Sequence, residues 1–69
     1  QWDKAIRRFE KVLALQPDLI EVYLHLSDAY QQKGEKEKAI DCLEKYYSLV
    51  KDESAKKETR DYINNLKKQ

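Results

Sequence analysis

The sequence repeats itself with a period of 34 residues. Shifting the chain by this period places WDKAIRRFEKVLAL (2–15) over KEKAIDCLEKYYSL (36–49). The matched pairs include apolar and charged positions: Ala5 with Ala39, Ile6 with Ile40, Phe9 with Leu43 and Lys11 with Lys45. A period of this length indicates a fold built from a repeated supersecondary unit rather than from one irregular core.

Apolar side chains recur at helical spacing in four segments. In the first segment they form one stripe, with steps of three and four residues, as in an amphipathic helix: Trp2, Ala5, Ile6, Phe9, Val12 and Leu13. No segment alternates apolar and polar residues as a half-buried strand would. The sequence therefore predicts an all-α fold of about four helices.

One proline and one glycine mark the expected helix ends. Pro17 disfavours helix at the residue before it, so the first helix should end there and the second should begin close by. Gly34 suits the left-handed position that follows a helix, which places the end of the second helix at about Lys33. The third helix should begin near Glu35, and the fourth should cover about 54–67.

Composition narrows the classes of function. The net charge of +1 gives no overall field that would attract nucleic acid. Cys42 is the only cysteine, which excludes a disulfide within the chain and fits a reducing compartment. No apolar run approaches the roughly 20 residues that span a bilayer, so we expect a cytoplasmic protein or the soluble part of a membrane-anchored one. Abundant Lys and Glu without Met is also typical of a thermophile's surface.

The segment YLHLSDAYQQKGEKEKAIDCLEK resembles the tetratricopeptide repeat family, whose unit is a helix–turn–helix of the same period. The matching positions are Tyr23, Leu26, Ser27, Tyr30, Gly34, Ala39 and Leu43, with Pro17 in place of the proline that ends the preceding repeat. Ser27 and Ala39 are small, which would let the two helices of the pair approach closely.

The resemblance implies three parts: 1–19 as the second helix of a partial repeat, 20–53 as a complete repeat and 54–69 as a capping helix. Two positions depart from the family pattern. Tyr46 stands where the family has Ala, and Lys51 stands where it has proline. Without that proline, we expect that the third helix can continue toward residue 52 or beyond.

The chain offers little material for catalysis. It has one His and one Cys, no HExxH motif, no paired Cys ligands and no glycine-rich phosphate loop. Glu21, His25 and Asp28 share one helical face and could in principle hold a metal, but a solvent-facing polar surface is the favoured interpretation. We therefore expect no enzyme activity, no catalytic residues, no cofactor and no metal site.

The resemblance implies a groove for a peptide, because the family binds peptides along the first helix of each repeat. The corresponding positions in this chain are Glu21, Leu24, His25, Asp28, Gln31 and Gln32. They lack the Lys, Arg and Asn side chains with which family members hold a C-terminal carboxylate. An acidic, partly apolar groove favours a basic or amphipathic segment of a partner protein. The alternative is a solvated surface that binds nothing.

A second class of function would use the basic last helix. Its cations are Lys56, Lys57, Arg60, Lys67 and Lys68, and Tyr62 is available to stack on a base. They could bind nucleic acid or an anionic membrane surface, with an affinity that falls steeply as salt is added. The cations are spread around the helix rather than clustered, so solvation of a capping helix is the favoured interpretation.

The first helix predicts self-association. A complete repeat would place another helix against Ala5, Ile6 and Phe9, and that helix would precede residue 1. We expect Trp2, Ile6 and Phe9 to be left partly uncovered, at a cost of about 1.5–3 kcal/mol per large side chain. The same surface of a second copy could cover them in a two-fold homodimer.

Overall fold

The computed structural model describes residues 1–69 and contains four α-helices and no strand, which confirms the all-α prediction. The helices are α1 (Trp2–Leu15), α2 (Glu21–Gln32), α3 (Lys36–Leu49) and α4 (Glu53–Lys68). None of the four combines the length and the apolar composition that crossing a lipid bilayer requires.

The turn between α1 and α2 is longer than the sequence suggested. Gln16 has an extended φ of −136°, as expected before a proline. A tight turn follows, in which the backbone N–H of Leu19 donates to the carbonyl of Gln16 at 3.1 Å. The second helix therefore begins at Glu21, four residues after Pro17.

The third helix is shorter than the sequence suggested. It ends at Leu49, and the following Val50 has extended backbone angles of φ −71° and ψ 141°. The expectation that Lys51 allows α3 to continue toward Asp52 is therefore wrong. Val50 is buried in this extended conformation. The helix thus ends at Leu49 although no proline follows it, and the end coincides with burial of the Val50 side chain.

Gly34 joins α2 to α3 through a left-handed turn. Its φ is +83°, which an L side chain adopts only with strain. The N–H of Glu35 donates to the carbonyl of Tyr30 at 2.8 Å, and the N–H of Gly34 donates to the carbonyl of Gln31 at 3.0 Å. These two bonds form a Schellman motif, which satisfies carbonyls at the end of α2 and reverses the chain direction.

Each helix packs only on its neighbours in the chain, with the most extensive contact between α2 and α3. The buried core is divided accordingly. One cluster joins α1 to α2 and contains Ile6, Leu26 and Ala29, with Phe9, Leu13, Tyr30 and Cys42 packed against it. The other joins α3 to α4 and contains Ile40, Leu43, Ile63 and Leu66.

Small buried residues occur in both central helices. Ser27 on α2 is 1% exposed and Ala39 on α3 is 0% exposed. Side chains of this size allow two helix backbones to come close together, which fits the extensive packing of α2 on α3. A larger side chain at Ala39 would therefore have to enter the buried interface of the two helices.

We expect Ala39→Leu to lower the free energy of unfolding by about 1–3 kcal/mol, because extra methylene groups would have to displace packed atoms. Urea denaturation followed by circular dichroism measures the change. Ala14→Leu, at an exposed position of α1, is the matched control. Equal midpoints for the two variants would show that Ala39 does not limit the packing.

Ion pairs tie the start of α1 to the turn between α2 and α3. Lys33 Nζ lies 2.7 Å from Asp3 Oδ1 and 2.8 Å from Glu35 Oε2, and Lys38 Nζ lies 3.1 Å from Glu35 Oε1. Hydrogen bonds from Lys33 hold the pKa of Asp3 and the pKa of Glu35 below their usual values. The two carboxylates in turn raise the pKa of Lys33. The cluster is open to solvent, so salt should weaken it.

Replacing Lys33 should make stability less dependent on pH. Because Asp3 and Glu35 have lower pKa values in the folded state, their contribution is present above about pH 4 and is lost as the pH falls through the folded pKa values. The melting temperature of Lys33→Gln should therefore fall below that of the parent at neutral pH, and the two should converge in acid or in about 1 M salt.

Lys57→Gln is the control for this comparison, because Lys57 pairs at 3.8 Å with Asp61 inside a single helix. Thermal melts followed by circular dichroism at several pH values measure both variants. A deficit for Lys33→Gln that stays constant from neutral to acid pH would rule out the ion pairs as its source.

Candidate functional site

An open groove of about 300 Å³ runs between α2 and α4. Four residues of α2, one of α3 and three of α4 line it: Leu24, Ser27, Asp28, Gln31, Leu43, Glu58, Thr59 and Tyr62. We call this site the α2–α4 groove. It exists because both helices flank α3 without packing their backbones against each other.

The floor of the α2–α4 groove is buried and its rim is exposed. Ser27 and Leu43 are almost fully buried, whereas Leu24 is 37% exposed and Tyr62 is 45% exposed. The rim therefore offers apolar area to a partner.

Two exposed carboxylates lie on opposite walls of the groove. Asp28 belongs to α2 and Glu58 belongs to α4. Neither takes part in any of the ion pairs of the structure, and no Lys or Arg lines the groove. The lining of the groove therefore carries two negative charges and no positive charge.

Hydrogen bonds link three of the residues that line the groove. The hydroxyl of Tyr62 donates to Gln31 Oε1 at 3.0 Å, and Gln31 Nε2 donates to Ser27 Oγ at 3.3 Å. A second, smaller depression of about 150 Å³ is also lined by Gln31. Gln31 is thus held from two sides, and its bond to Tyr62 connects α2 to α4 directly.

The structure divides the six α2 residues that the sequence assigned to a binding groove. Leu24, Asp28 and Gln31 line the α2–α4 groove. His25 instead stacks on Phe9 of α1, with ring centroids 5.6 Å apart and an interplanar angle of 22°. Glu21 and Gln32 are exposed and lie outside the lining.

Sequence reasoning missed the second wall of the groove. Glu58, Thr59 and Tyr62 come from α4, which was interpreted as a capping helix or as a basic surface for nucleic acid or membrane, and not as part of the peptide groove. A signal was present: the buried stripe of α4 includes Thr59, Ile63 and Leu66. Glu58 and Tyr62, spaced by one helical turn, flank that stripe and must lie at the edge of the interface with α3.

The face of α1 assigned to self-association is covered more fully than expected. Ile6 is only 6% exposed and packs with Leu26 and Ala29 of α2. Phe9 is partly buried against the same cluster, whereas Trp2 remains 43% exposed. The expectation that Ile6 is uncovered is wrong, because α2 covers the central row of the apolar stripe and leaves only its flank open.

The cations of α4 are partly engaged within the chain. Lys56 Nζ lies 5.4 Å from the centre of the Tyr47 ring, Lys57 pairs with Asp61, and Lys67 pairs with Glu44 at 3.5 Å. Arg60 and Lys68 have no acidic partner in the structure. Binding of nucleic acid or an anionic membrane by this helix stays a prediction.

No group of three or more His, Cys, Asp or Glu side chains gathers where it could hold a metal ion. Burial, together with the negative charges of Asp41 and Glu10, raises the pKa of the Cys42 thiol to about 11. At neutral pH this thiol is protonated, and the thiol form is a poor nucleophile.

The family model described as regulator of microtubule dynamics protein 1-3 matches residues 1–69. The chain therefore belongs to this family. No curated protein and no solved structure matches the sequence significantly.

This assignment corrects the identification as a tetratricopeptide repeat protein, which was wrong. The residues that suggested it have a physical purpose in any close antiparallel helix pair: small Ser27 and Ala39 at the contact, and Gly34 at the turn. These residues are explained by the close packing of α2 on α3, so their presence does not identify a family. The division of the chain after residues 19 and 53 stays a prediction.

Proposed function

We propose that this member of the regulator of microtubule dynamics family is a protein-interaction module whose α2 surface binds a basic, amphipathic segment of a partner protein. The observation that supports it is the unneutralised acidic surface of α2, where Leu24 is exposed beside Asp28. Residues 12–32 contain no Lys or Arg at all. Complementary charge steers such partners and fixes their orientation.

The family description supports a role connected with microtubules. A binding module contributes to such a role by attaching one protein to another. We propose binding rather than catalysis, because the single Cys is protonated at neutral pH and the single His is stacked on Phe9. An exposed acidic groove with an apolar rim has the chemistry of recognition and not of proton transfer.

Isothermal titration calorimetry tests the proposal with two amphipathic helical peptides of opposite charge. We expect the basic peptide to bind at low salt and the acidic peptide to give no heat. Asp28→Lys should weaken binding of the basic peptide by about tenfold or more, because it replaces attraction by repulsion inside the groove. Negligible heat for both peptides would remove the proposal.

Asp41→Lys is the matched control for charge reversal. Asp41 is an exposed carboxylate on α3 that lies outside the α2–α4 groove. The change in net charge is the same as in Asp28→Lys, so a general electrostatic effect would weaken both variants equally. Equal losses would show that α2 is not the binding surface.

We also propose self-association through α1. Because Ile6 is buried, the proposed contact is centred on Trp2, whose side chain is 43% exposed. An aromatic ring of this size that remains in contact with water is typical of a surface that packs on a partner. Phe9 lies beside the cluster of α1 and α2, so it serves the fold as well as the proposed contact. The two residues should therefore respond differently to substitution.

Sedimentation equilibrium over a wide range of concentrations measures the association. We expect the parent chain to form a dimer, Trp2→Glu to dissociate it with little change in melting temperature, and Phe9→Glu to dissociate it while also lowering the melting temperature. Burial of a charge beside an apolar cluster is the reason for the second effect. A folded monomer at every concentration of the parent chain would contradict self-association.

A further inference from the structure

The size of the α2–α4 groove limits what it can hold. Its volume of about 300 Å³ lies at the lower end of the range of about 300–1,000 Å³ for sites that bind small ligands. The hydrogen bond from Tyr62 to Gln31 joins two of the residues that line it. The groove therefore has room for one long side chain of a partner, whereas the body of a helix must remain outside it.

The walls of the groove determine the chemistry of that side chain. Asp28 and Glu58 present negative charge from opposite sides, and the floor between them includes the apolar Leu43. A side chain that fits has an aliphatic stem for the floor and a cation at the mouth, which describes Lys and Arg. The guanidinium of Arg carries five donors in a planar fork and can reach two carboxylates at once.

No cation of the chain already occupies this position. Lys33, which follows the last residue of α2, is engaged by Asp3 and Glu35. On α4, Lys57 is engaged by Asp61, and Arg60, which has no acidic partner, does not line the groove. The charge of Asp28 and Glu58 is thus available to a partner, and charge complementarity selects a basic side chain over an apolar or acidic one.

We infer that the α2–α4 groove is a socket for a single Arg or Lys side chain of the partner segment, held between Asp28 on α2 and Glu58 on α4. An apolar neighbour of that side chain packs on Leu24 and the Tyr62 ring at the rim. This inference rests on the proposed function and adds α4 as the second wall of the binding site.

The test uses two amphipathic helical peptides that differ at one central position, Arg in one and citrulline in the other. Citrulline keeps the shape and most hydrogen bonds of Arg but carries no charge. Titration calorimetry against the full chain should show the Arg peptide binding about fivefold more tightly, as expected for a partly exposed ion pair. Equal affinity of the two peptides would overturn the inference.

Variants of the chain locate the charge effect. Glu58→Gln and Asp28→Asn should each reduce the preference for Arg over citrulline, whereas Asp41→Asn, outside the groove, should retain it. Glu58→Arg should abolish binding of the Arg peptide, and a third peptide with Glu at the central position should regain affinity for that variant. Circular dichroism checks the fold, and Glu58 is exposed, so its replacement should leave the fold intact.

The results separate the inference from the proposed function. If Asp28→Asn weakens the Arg peptide but Glu58→Gln and Glu58→Arg do not, the partner lies on α2 alone, and the two-walled socket is wrong while the proposed function stands. If neither the Arg nor the citrulline peptide binds, the proposed function fails and the inference fails with it.

Discussion

The left-handed turn at Gly34 is the constraint on which the arrangement of the helices depends. With φ at +83°, it allows the Schellman bonds from Glu35 and Gly34 to the end of α2 and sends α3 back alongside it. A Cβ at this position would meet no neighbouring atom, so the requirement for glycine is entirely conformational. The same turn presents Lys33 and Glu35 to α1, which adds the ion pairs with Asp3.

Sequential packing then produces both the divided core and the groove. Since α2 and α4 each pack on α3 and not on each other, the space between them remains open above α3. Leu43 contributes to both the core and the groove: it belongs to the buried cluster of α3 and α4, and it also lies in the floor of the groove. The α2–α4 groove is thus a direct consequence of how the core is built.

The sequence contained the helices and the turn but only half of the site. Leu26, Ala39 and Leu43, which the sequence analysis singled out as positions of a repeat pattern, are buried, and the single glycine identified the end of α2. Periodicity states which face of α4 is apolar, yet it does not state where that helix lies relative to α2, which is a matter of long-range packing. Glu58 and Tyr62 were therefore not assigned to the groove. In the same way, Lys51 suggested a longer α3, whereas the buried Val50 lies in extended backbone.

The position of α4 links local stability to the proposed recognition. This helix is held by a buried cluster with α3, by contacts of Lys67 with Glu44 and of Lys56 with the Tyr47 ring, and by hydrogen bonds from Tyr62 to Gln31 and from Lys36 to the carbonyl of Gln69. Separation of α4 would remove one wall of the groove while leaving the cluster of α1 and α2 intact, since the two clusters share no residue. Regions with few buried contacts open first in a folded protein. A ligand that touches both walls binds only the state in which α4 is packed on α3. Binding of such a ligand would therefore stabilise the packing of α4.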